Sequence, residues 1–254
     1  MELSVISRLK RFIGYVRKHG EVVIYNAPWY MRWRNRWSMN ARGFVSQASQ
    51  DAIVATEFYE MLCDKQFPRV FFDIGCNHPL RHNNSLYFER YFSFKVYAID
   101  ALDAYEYDWT MSREKAVFIS APISSRVEEI VFETAIGLSE NSDMYSSIQT
   151  YSSKRRDMKF VSKKMKTRTL DDICEQYSVE RIGIMSLDIE GHEFEALRGL
   201  DLESHGPIVL ILENNSPYTL GDENIRDWLS EKGYTFKVRV WGMDDIYVRT
   251  SWLC

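Results

Sequence analysis

The pattern of apolar and polar residues changes near residue 49. From there, short apolar runs alternate with segments in which apolar residues recur at helical spacing. This alternation is typical of an α/β fold, in which a mostly parallel sheet carries helices on both faces. The apolar runs predict strands over residues 69–74, 95–99, 116–120, 182–187 and 207–212. The predicted helices lie at residues 50–64, 85–92, 102–113, 170–177, 191–200 and 222–231.

Two regions depart from that alternation. The last two predicted strands, 234–240 and 245–250, are joined by a short turn, which predicts an antiparallel hairpin at the C-terminal end. We also expect an antiparallel excursion near 127–133, followed by a polar loop over 138–158. The far end of this region, 154–168, holds eight basic residues and one acidic residue. We interpret it as a solvated loop, although it could also grip an acidic glycan, a lipid phosphate or a nucleic-acid backbone.

Residues 1–45 form a different kind of segment, with nine basic and two acidic side chains. Apolar positions between residues 2 and 18 recur at helical spacing, which predicts a basic amphipathic helix. Such a helix can pack on the domain or lie on an anionic membrane surface, and both interpretations stay open. Residues 29–37 interleave tryptophans with arginines, as a structural arm or a nucleic-acid-contacting segment does. We predict an N-terminal extension over residues 1–45 and a single domain over residues 46–254.

Composition narrows the class of protein. A net charge of -4 excludes a globally basic nucleic-acid binder. The four cysteines form no C-x-x-C pair, so neither a zinc site nor a disulfide framework is indicated. No window approaches the roughly 18 uncharged apolar residues of a spanning helix, and the N-terminus lacks the apolar core of a signal peptide. We therefore expect a cytoplasmic protein, with peripheral membrane contact through the predicted basic helix as an alternative.

The first predicted strand runs into Asp73, Gly75, Cys76 and Asn77, at the edge where open α/β sheets bind ligands. A dinucleotide site would need the pattern G-x-G-x-x-G, because its backbone must approach a pyrophosphate closely. Only Gly75 is present, which argues against NAD. S-adenosylmethionine carries no phosphate, so one glycine that admits the ligand and one acid that faces its ammonium or sulfonium suffice for it.

The second predicted strand is followed by Asp100, a carboxylate placed to accept hydrogen bonds from both hydroxyls of a ribose. It lies 27 positions beyond Asp73, close to the spacing of about 20 expected in a βαβ unit. Asp103 is the alternative, although a helix-capping role also explains it. After the third strand, Ala121 would border the adenine ring, a placement that follows from topology alone.

The fourth predicted strand ends at Asp188, and Glu190 and His192 follow closely. Glu193 and Glu195 continue the acidic run, but the helix dipole favours acids at a helix N-terminus. Asp188 precedes the helix and has no such explanation. We therefore expect this strand end to take part in chemistry.

Three motifs in register resemble the successive signatures of the FkbM-type methyltransferase family. They are Asp73-Ile74-Gly75-Cys76-Asn77-His78-Pro79, Thr169-Leu170-Asp171-Asp172-Ile173, and Asp188-Ile189-Glu190-Gly191-His192-Glu193 with Leu197-Arg198-Gly199-Leu200. The resemblance implies a class I methyltransferase fold, which is a Rossmann-like seven-stranded sheet with an antiparallel C-terminal hairpin. It also implies S-adenosylmethionine as methyl donor and O-methylation, frequently of sugars.

The motifs and the resemblance together define a predicted site. The predicted cofactor-binding residues are Asp73, Gly75, Cys76, Asn77, Asp100, Ala121 and Asp188. We predict that Asp188 or His192 accepts the proton of a hydroxyl on a sugar or glycan-like acceptor, while Glu190 orients that acceptor. His192 could equally be a structural histidine in the first turn of its helix.

Three alternatives stay open at this point. Asp188, Glu213 and Asn214 could supply oxygen ligands to a magnesium-type divalent metal, although we do not favour a metal. The chain could be an RNA methyltransferase, with the arginine- and tryptophan-rich segment contacting phosphates and bases, although nucleic acid is the less favoured partner. It could also be a non-catalytic cofactor-binding scaffold protein that retains the fold. The sequence indicates neither the acceptor hydroxyl nor the oligomeric state.

Overall fold

The computed structural model describes residues 43–136, 146–148, 159–214 and 225–253. The predicted basic helix and the tryptophan- and arginine-rich segment lie outside these residues, so both stay predictions. The strands are β1 (Val70–Ile74), β2 (Lys95–Asp100), β3 (Val117–Ser120), β4 (Glu129–Ile136), β5 (Ser147–Ile148), β6 (Lys159–Lys166), β7 (Ile184–Leu187), β8 (Val209–Glu213), β9 (Tyr234–Val240) and β10 (Asp244–Arg249). The helices are α1 (Gln50–Glu57), α2 (Tyr59–Cys63), α3 (Leu86–Phe92), α4 (Glu106–Ser112), α5 (Leu170–Tyr177), α6 (Glu193–Arg198) and α7 (Ile225–Glu231). Short 3₁₀ helices span Asp103–Tyr105 and Thr250–Trp252.

Seven strands form one sheet in the order β3-β2-β1-β7-β8-β10-β9. The first five in this order pair in parallel, whereas β10 pairs antiparallel with both β8 and β9. The predicted α/β fold with a seven-stranded sheet and an antiparallel C-terminal hairpin is therefore confirmed. The strand order reverses between β1 and β7, and an open sheet has a ligand-binding crevice beyond its carboxyl edge at such a point.

Each face of this sheet carries its own apolar core. Side chains of β1 alternate between the two, with Phe71 in one core and Phe72 in the other. Both rings are fully buried, and burying a side chain of this size stabilises a fold by roughly 1.5–3 kcal/mol. Helices α1 and α3 contribute to the first core, and α5 and α6 contribute to the second. The sheet is thus covered on both faces, as the unbroken apolar run at 207–212 predicted.

Helix α5 begins where the sequence predicts, because Thr169 caps it. The Thr169 hydroxyl oxygen accepts a hydrogen bond from the amide of Asp172 at 3.1 Å. An N-cap of this kind contributes about 1 kcal/mol to stability. The helix leads into β7 and so helps to position the strand end that carries Asp188.

The segment 154–168, which we interpreted as a solvated loop, contains a strand instead. Strand β6 pairs antiparallel with β4, from Glu129 opposite Lys166 to Ile136 opposite Lys159. Together with β5 it forms a separate three-stranded sheet in the order β5-β4-β6. The apolar pattern missed β6 because most of its residues on both faces are exposed, so burial imposes no alternation on them. The excursion predicted near 127–133 is confirmed as β4.

Two predicted helices are divided in the structure. The helix expected over 50–64 breaks at Phe58, which leaves the helical conformation between α1 and α2. The helix expected over 102–113 begins as a 3₁₀ turn and continues as α4. No helix in the described part of the chain has the length and apolar character needed to cross a membrane.

Candidate active site

A cavity opens at the carboxyl edge of the seven-stranded sheet. Its walls come from the segments that follow β1, β2, β3 and β7, so four parallel strand ends meet there. Seven of the predicted site residues line it: Gly75, Asn77, Asp100, Ala121, Asp188, Glu190 and His192. Phe132 of β4 and Ile148 of β5 also line it, so the three-stranded sheet forms one wall.

A second cavity adjoins the first. The two share Gly75, Asn77 and Asp188. Asp73 and Cys76 line the second cavity only. We call the two cavities together the cleft, because they meet over the turn that follows β1. The cleft brings every predicted site residue to one edge of the sheet.

The turn after β1 depends on Gly75. Its φ is 73°, in the left-handed region that glycine tolerates. A Cβ atom at this position would lie 1.6 Å from the carbonyl oxygen of Asp188, so the backbones of two strand ends touch here. We predicted this glycine as a point that admits the ligand, and the structure adds contact between β1 and β7 as a second reason for it. The buried thiol of Cys76 follows, and burial raises its pKa well above the usual value, so it stays neutral.

Asp100 is held by the backbone at the end of β2. One of its carboxylate oxygens accepts a hydrogen bond from the amide of Asn77 at 2.8 Å, and the other from the amide of Leu102 at 2.9 Å. The first bond also fixes the turn after β1. Because a carboxylate oxygen can accept more than one hydrogen bond, this geometry leaves Asp100 suited to the vicinal hydroxyls of a ribose. Ala121 is close by, since its amide donates to the Asp100 carbonyl at 2.9 Å.

Asp73 lies at the floor of the second cavity and is only 4% exposed. The side-chain amide of Asn83 donates a hydrogen bond to it at 3.1 Å. Burial raises the pKa of Asp73 to about 6, against the opposing effects of Ser85, Arg113 and Asn83. The carboxyl is therefore mostly ionised at neutral pH and can accept hydrogen bonds from an ammonium group.

Three carboxylates from different elements come together beside the cleft. Asp188 after β7, Glu193 of α6 and Glu213 of β8 each place an oxygen within 4.8 Å of the others. Asp188 has an exposed surface on the cleft, yet the surrounding protein removes enough water to raise its pKa well above the usual value. Repulsion from Glu213 and Asp244, and a hydrogen bond with Glu213, raise it further.

The carboxyl groups near Asp188 also have raised pKa values. Burial, with repulsion from Glu213 adding to it, raises the pKa of both Glu193 and Asp244 to about 7. Asp244 begins β10 directly opposite Glu213, which explains the repulsion. Glu193 and Asp244 are therefore partly protonated at neutral pH.

Two of the three ligands of the magnesium hypothesis come together in the structure. Asp188 and Glu213 meet, and Glu193 joins them in place of Asn214. The side-chain nitrogen of Asn214 donates a hydrogen bond to Asp245 at 3.0 Å. Carboxylate oxygens are the ligands that a magnesium-type ion prefers, but acidic groups of this kind also occur without an ion, so the alternative stays open.

His192 is buried and lines the first cavity. Its Nε2 atom hydrogen-bonds with the Ser124 hydroxyl at 3.1 Å. Burial lowers the pKa of the imidazole, so the ring is neutral at neutral pH and able to accept a proton. The contact with Ser124 equally suits a structural histidine, so both predicted roles stay open.

The turn that carries Glu190 is held in a strained conformation. Its φ is 58°, which costs a residue with a side chain on the order of 1 kcal/mol. Glu193 holds the turn, because its carboxylate accepts hydrogen bonds from the amides of Ile189 at 2.9 Å and Gly191 at 3.0 Å. The sequence explained Glu193 by the helix dipole alone, whereas the structure shows that it holds the turn whose residues Ile189 and Glu190 line the first cavity.

Several polar residues of the cleft escaped prediction. Asn84 donates to the Ser186 hydroxyl at 2.8 Å, and Gln50 donates to Asp244 at 2.7 Å. Each contact joins segments more than a hundred positions apart, so no local sequence pattern predicts it. Of these residues, only Asp244 could have been noticed in the sequence, because it is an acid at the end of the predicted C-terminal turn.

One of three comparisons with known proteins identifies the kind of domain. A model of the methyltransferase FkbM domain matches residues 73–236. Among solved structures, the chain is similar to a protein described as a ribosomal RNA methyltransferase from Plasmodium falciparum. The two are 12% identical, the match covers 80% of this chain and 96% of that one, and the TM-score is 0.42. A comparison with curated proteins gives no match.

Proposed function

Since this chain belongs to the FkbM methyltransferase family, we propose that it transfers a methyl group from S-adenosylmethionine to a hydroxyl of a sugar or glycan-like acceptor. The observation that carries the proposal is the two-part cleft, which has a fixed carboxylate in each part. Asp100 lines the first cavity and Asp73 lines the second, with the turn at Gly75 between them.

The cleft fits the parts of S-adenosylmethionine in order. The nucleoside would occupy the first cavity, with its ribose hydroxyls on Asp100 and its adenine beside Ala121. The amino-acid end would occupy the second cavity, with its ammonium group on Asp73. The reacting sulfur would then lie near Gly75, where both cavities meet Asp188.

The chemistry needs alignment and one proton acceptor. When bound, S-adenosylmethionine supplies an electrophilic methyl group on a positively charged sulfur. The acceptor oxygen forms a bond to the methyl carbon as the carbon–sulfur bond breaks, and the electron pair of that bond stays on sulfur. Orientation of this kind lowers a barrier by roughly 7–11 kcal/mol in well-organised systems.

The proton of the hydroxyl passes to Asp188 or His192. A sugar hydroxyl is too weak an acid to ionise beforehand at neutral pH, so the base must act in the transition state, where it raises the rate by roughly 10² to 10⁴. Both candidates line the first cavity. The raised pKa of Asp188 makes its ionised form a stronger base than an ordinary aspartate, which supports this role.

A binding experiment tests the cofactor. Calorimetric titration of the purified protein with S-adenosylhomocysteine should show one site, and Asp100→Asn should weaken binding roughly tenfold because a charge-assisted hydrogen bond to ribose is lost. Asp103→Asn, at the neighbouring acid, is the matched control and should leave the affinity within twofold. Undetectable binding to the unaltered protein would favour a domain that does not use this cofactor.

A second experiment identifies the acceptor. The protein is incubated with a donor carrying a labelled methyl group and with separated cell glycans, lipids and RNA. Label on a glycan, stable to base as an ether is, supports the proposal. Label confined to RNA would instead establish an RNA methyltransferase, and activity that disappears on chelation and returns with Mg²⁺ would establish a metal requirement.

A further inference from the structure

A chain of buried polar groups lies behind the second cavity. It runs from Glu89 on α3 to Arg113, then to Asn83 and Ser85, and ends at Asp73. The guanidinium of Arg113 donates to Glu89 at 2.5 Å, to Asn83 at 3.0 Å and to Ser85 at 3.0 Å. Asn83 in turn donates to Asp73 at 3.1 Å. Every member except Glu89 is less than 5% exposed.

Burying an arginine in this way is costly unless its neighbours compensate for the lost water. Arg113 directly follows α4 and is itself 4% exposed. Its guanidinium stacks on Trp109 with 4.5 Å between the charged carbon and the ring centroid, and Glu89 pairs with it. No part of the catalytic chemistry proposed above uses this residue, so its position calls for another explanation.

The explanation lies in the loop between β1 and α3, residues 75–85. Asn77 and His82 adopt left-handed conformations there, so the loop does not follow a regular path. Arg113 fixes it at Asn83 and Ser85, and also contacts the carbonyl of Pro79. The neighbouring ring of Trp109 fixes the start of the loop, because its indole nitrogen donates to the carbonyl of Asn77 at 2.7 Å.

We propose that Arg113 is a positioning residue, which acts through Asn83 and Ser85 to hold the Asp73 carboxylate ready for the ammonium group of the methyl donor. This inference rests on the proposed function, since it assigns the second cavity to the amino-acid end of the donor. It adds a residue that touches neither cavity but controls how one of them binds.

The charges around Asp73 support this role. Arg113 lowers the pKa of Asp73 and Asp100 raises it, while Asn83 and Ser85 hydrogen-bond with it and the neutral Cys76 thiol lies nearby. The other titratable or charged side chains that line the same cavity are His78, Arg81, His82 and Asp188. The opposing effect of Arg113 limits how far burial raises the pKa of Asp73. Without Arg113, we expect Asp73 to become protonated at neutral pH, and a neutral acid binds an ammonium group weakly.

The test compares two ligands that differ only at the amino-acid end. S-adenosylhomocysteine carries the amino acid, whereas 5′-methylthioadenosine ends in a methyl group. Arg113→Gln should weaken S-adenosylhomocysteine roughly tenfold at pH 7.5, because one ionic contact is lost, and should change the affinity for 5′-methylthioadenosine less than threefold. Lys115→Gln, an exposed cation two positions away, is the matched control and should change neither affinity.

The pH dependence of ligand affinity distinguishes a positioning role for Arg113 from a purely structural role, because loss of a purely structural contact would not shift its midpoint. In the unaltered protein, the affinity for S-adenosylhomocysteine should fall as the pH drops through about 6, as Asp73 takes up a proton. In Arg113→Gln that midpoint should move to higher pH, while 5′-methylthioadenosine binding stays flat. A midpoint that does not move, or an equal loss of both ligands, would overturn the proposal.

A second variant covers the case in which Arg113→Gln does not fold. Ser85→Ala keeps the Arg113–Glu89 pair and removes one link to Asp73. It should weaken S-adenosylhomocysteine a few-fold and leave 5′-methylthioadenosine unchanged, and an equal loss of both would again contradict the proposal. If the unaltered protein binds neither ligand, the proposed function itself is wrong, which is a distinguishable result.

Discussion

The carboxylates of the cleft are held in two opposite ways. Asp100 in the first cavity is held by two backbone amides, and Asp73 in the second cavity is held by a side-chain amide with the Arg113 cation nearby. Where the two cavities meet, Asp188 is surrounded by other carboxylates, chiefly Glu193 and Glu213. The same residue type is therefore placed in two different electrostatic settings within one cleft.

Under the proposed function, this difference separates binding from chemistry. A carboxylate held by N–H donors keeps its charge and its geometry, which suits recognition of hydroxyl and ammonium groups. Carboxylates that repel one another have raised pKa values and are stronger bases once ionised, which suits removal of a proton. Substitutions of Asp73 or Asp100 should accordingly change ligand affinity, whereas substitution of Asp188 should change the rate of methyl transfer.

The largest effect should come from Gly75, which lies where the two cavities meet. Gly75→Ala places a Cβ atom 1.6 Å from the Asp188 carbonyl and strains a φ of 73°. We expect a loss of roughly 3 kcal/mol or more in the free energy of unfolding, together with loss of ligand binding. Gly242→Ala is the control, because its φ is 74° but nothing lies within 4 Å, so about 1 kcal/mol is expected. Equal losses in a denaturant titration would show that the contact between β1 and β7 is unimportant.

The next largest effect distinguishes Asp188 from Asp100, because it compares the rate of methyl transfer with the affinity for the cofactor. Asp188→Asn should lower the rate of methyl transfer by roughly 10² to 10⁴ if it is the base, while the dissociation constant for S-adenosylhomocysteine changes only a few-fold. Asp100→Asn should do the reverse, with weakened cofactor binding and a turnover number that is nearly kept at saturation. His192→Ala distinguishes the second candidate base. If Asp188→Asn and His192→Ala both retain full turnover, neither residue removes the proton.

A third, smaller effect concerns pH and stability. The pKa of Asp244 is about 7 in the folded protein, above its value of roughly 4 in the unfolded chain. The folded state therefore binds more protons between these values, and the free energy of unfolding should fall as pH rises from 4 to 7. Asp244→Asn keeps an acceptor for Gln50 and should reduce this fall by on the order of 1–2 kcal/mol, measured by urea unfolding at several pH values. Asp227→Asn, at an exposed acid on α7, should leave the slope unchanged.

Local signals account for what the sequence predicts of this cleft. Asp73, Asp100 and Asp188 each follow an apolar run, and parallel strands bring such positions to one edge whatever the details of the packing. The apolar periodicity likewise predicts the strands of the α/β fold, and it uses only neighbours along the chain. The single seven-stranded sheet was implied by the resemblance to the FkbM-type family.

Long-range pairing accounts for what the sequence does not predict. Glu213 and Asp244 meet only because β10 inserts between β8 and β9. Arg113 reaches Asn83 across thirty positions, and Gln50 reaches Asp244 across 194. Strand β6 owes its conformation to its register with β4 rather than to an apolar face of its own. Each of these features depends on which segments become neighbours, which residue type and spacing do not specify.

The smallest effect is expected at the three-stranded sheet that walls the first cavity. Lys163 of β6 forms an ion pair with Asp103 at 3.0 Å and so links this wall to the segment after Asp100, but both side chains are more than half exposed. Burial of Phe132 in the wall should matter more than this pair. We expect Lys163→Gln to lower the free energy of unfolding by less than about 0.5 kcal/mol and to leave S-adenosylhomocysteine affinity within twofold. Lys164→Gln, whose pair with Glu129 lies within the sheet itself, is the control. A tenfold loss of affinity in Lys163→Gln alone would show that this ion pair, rather than apolar packing, positions the three-stranded sheet beside the first cavity.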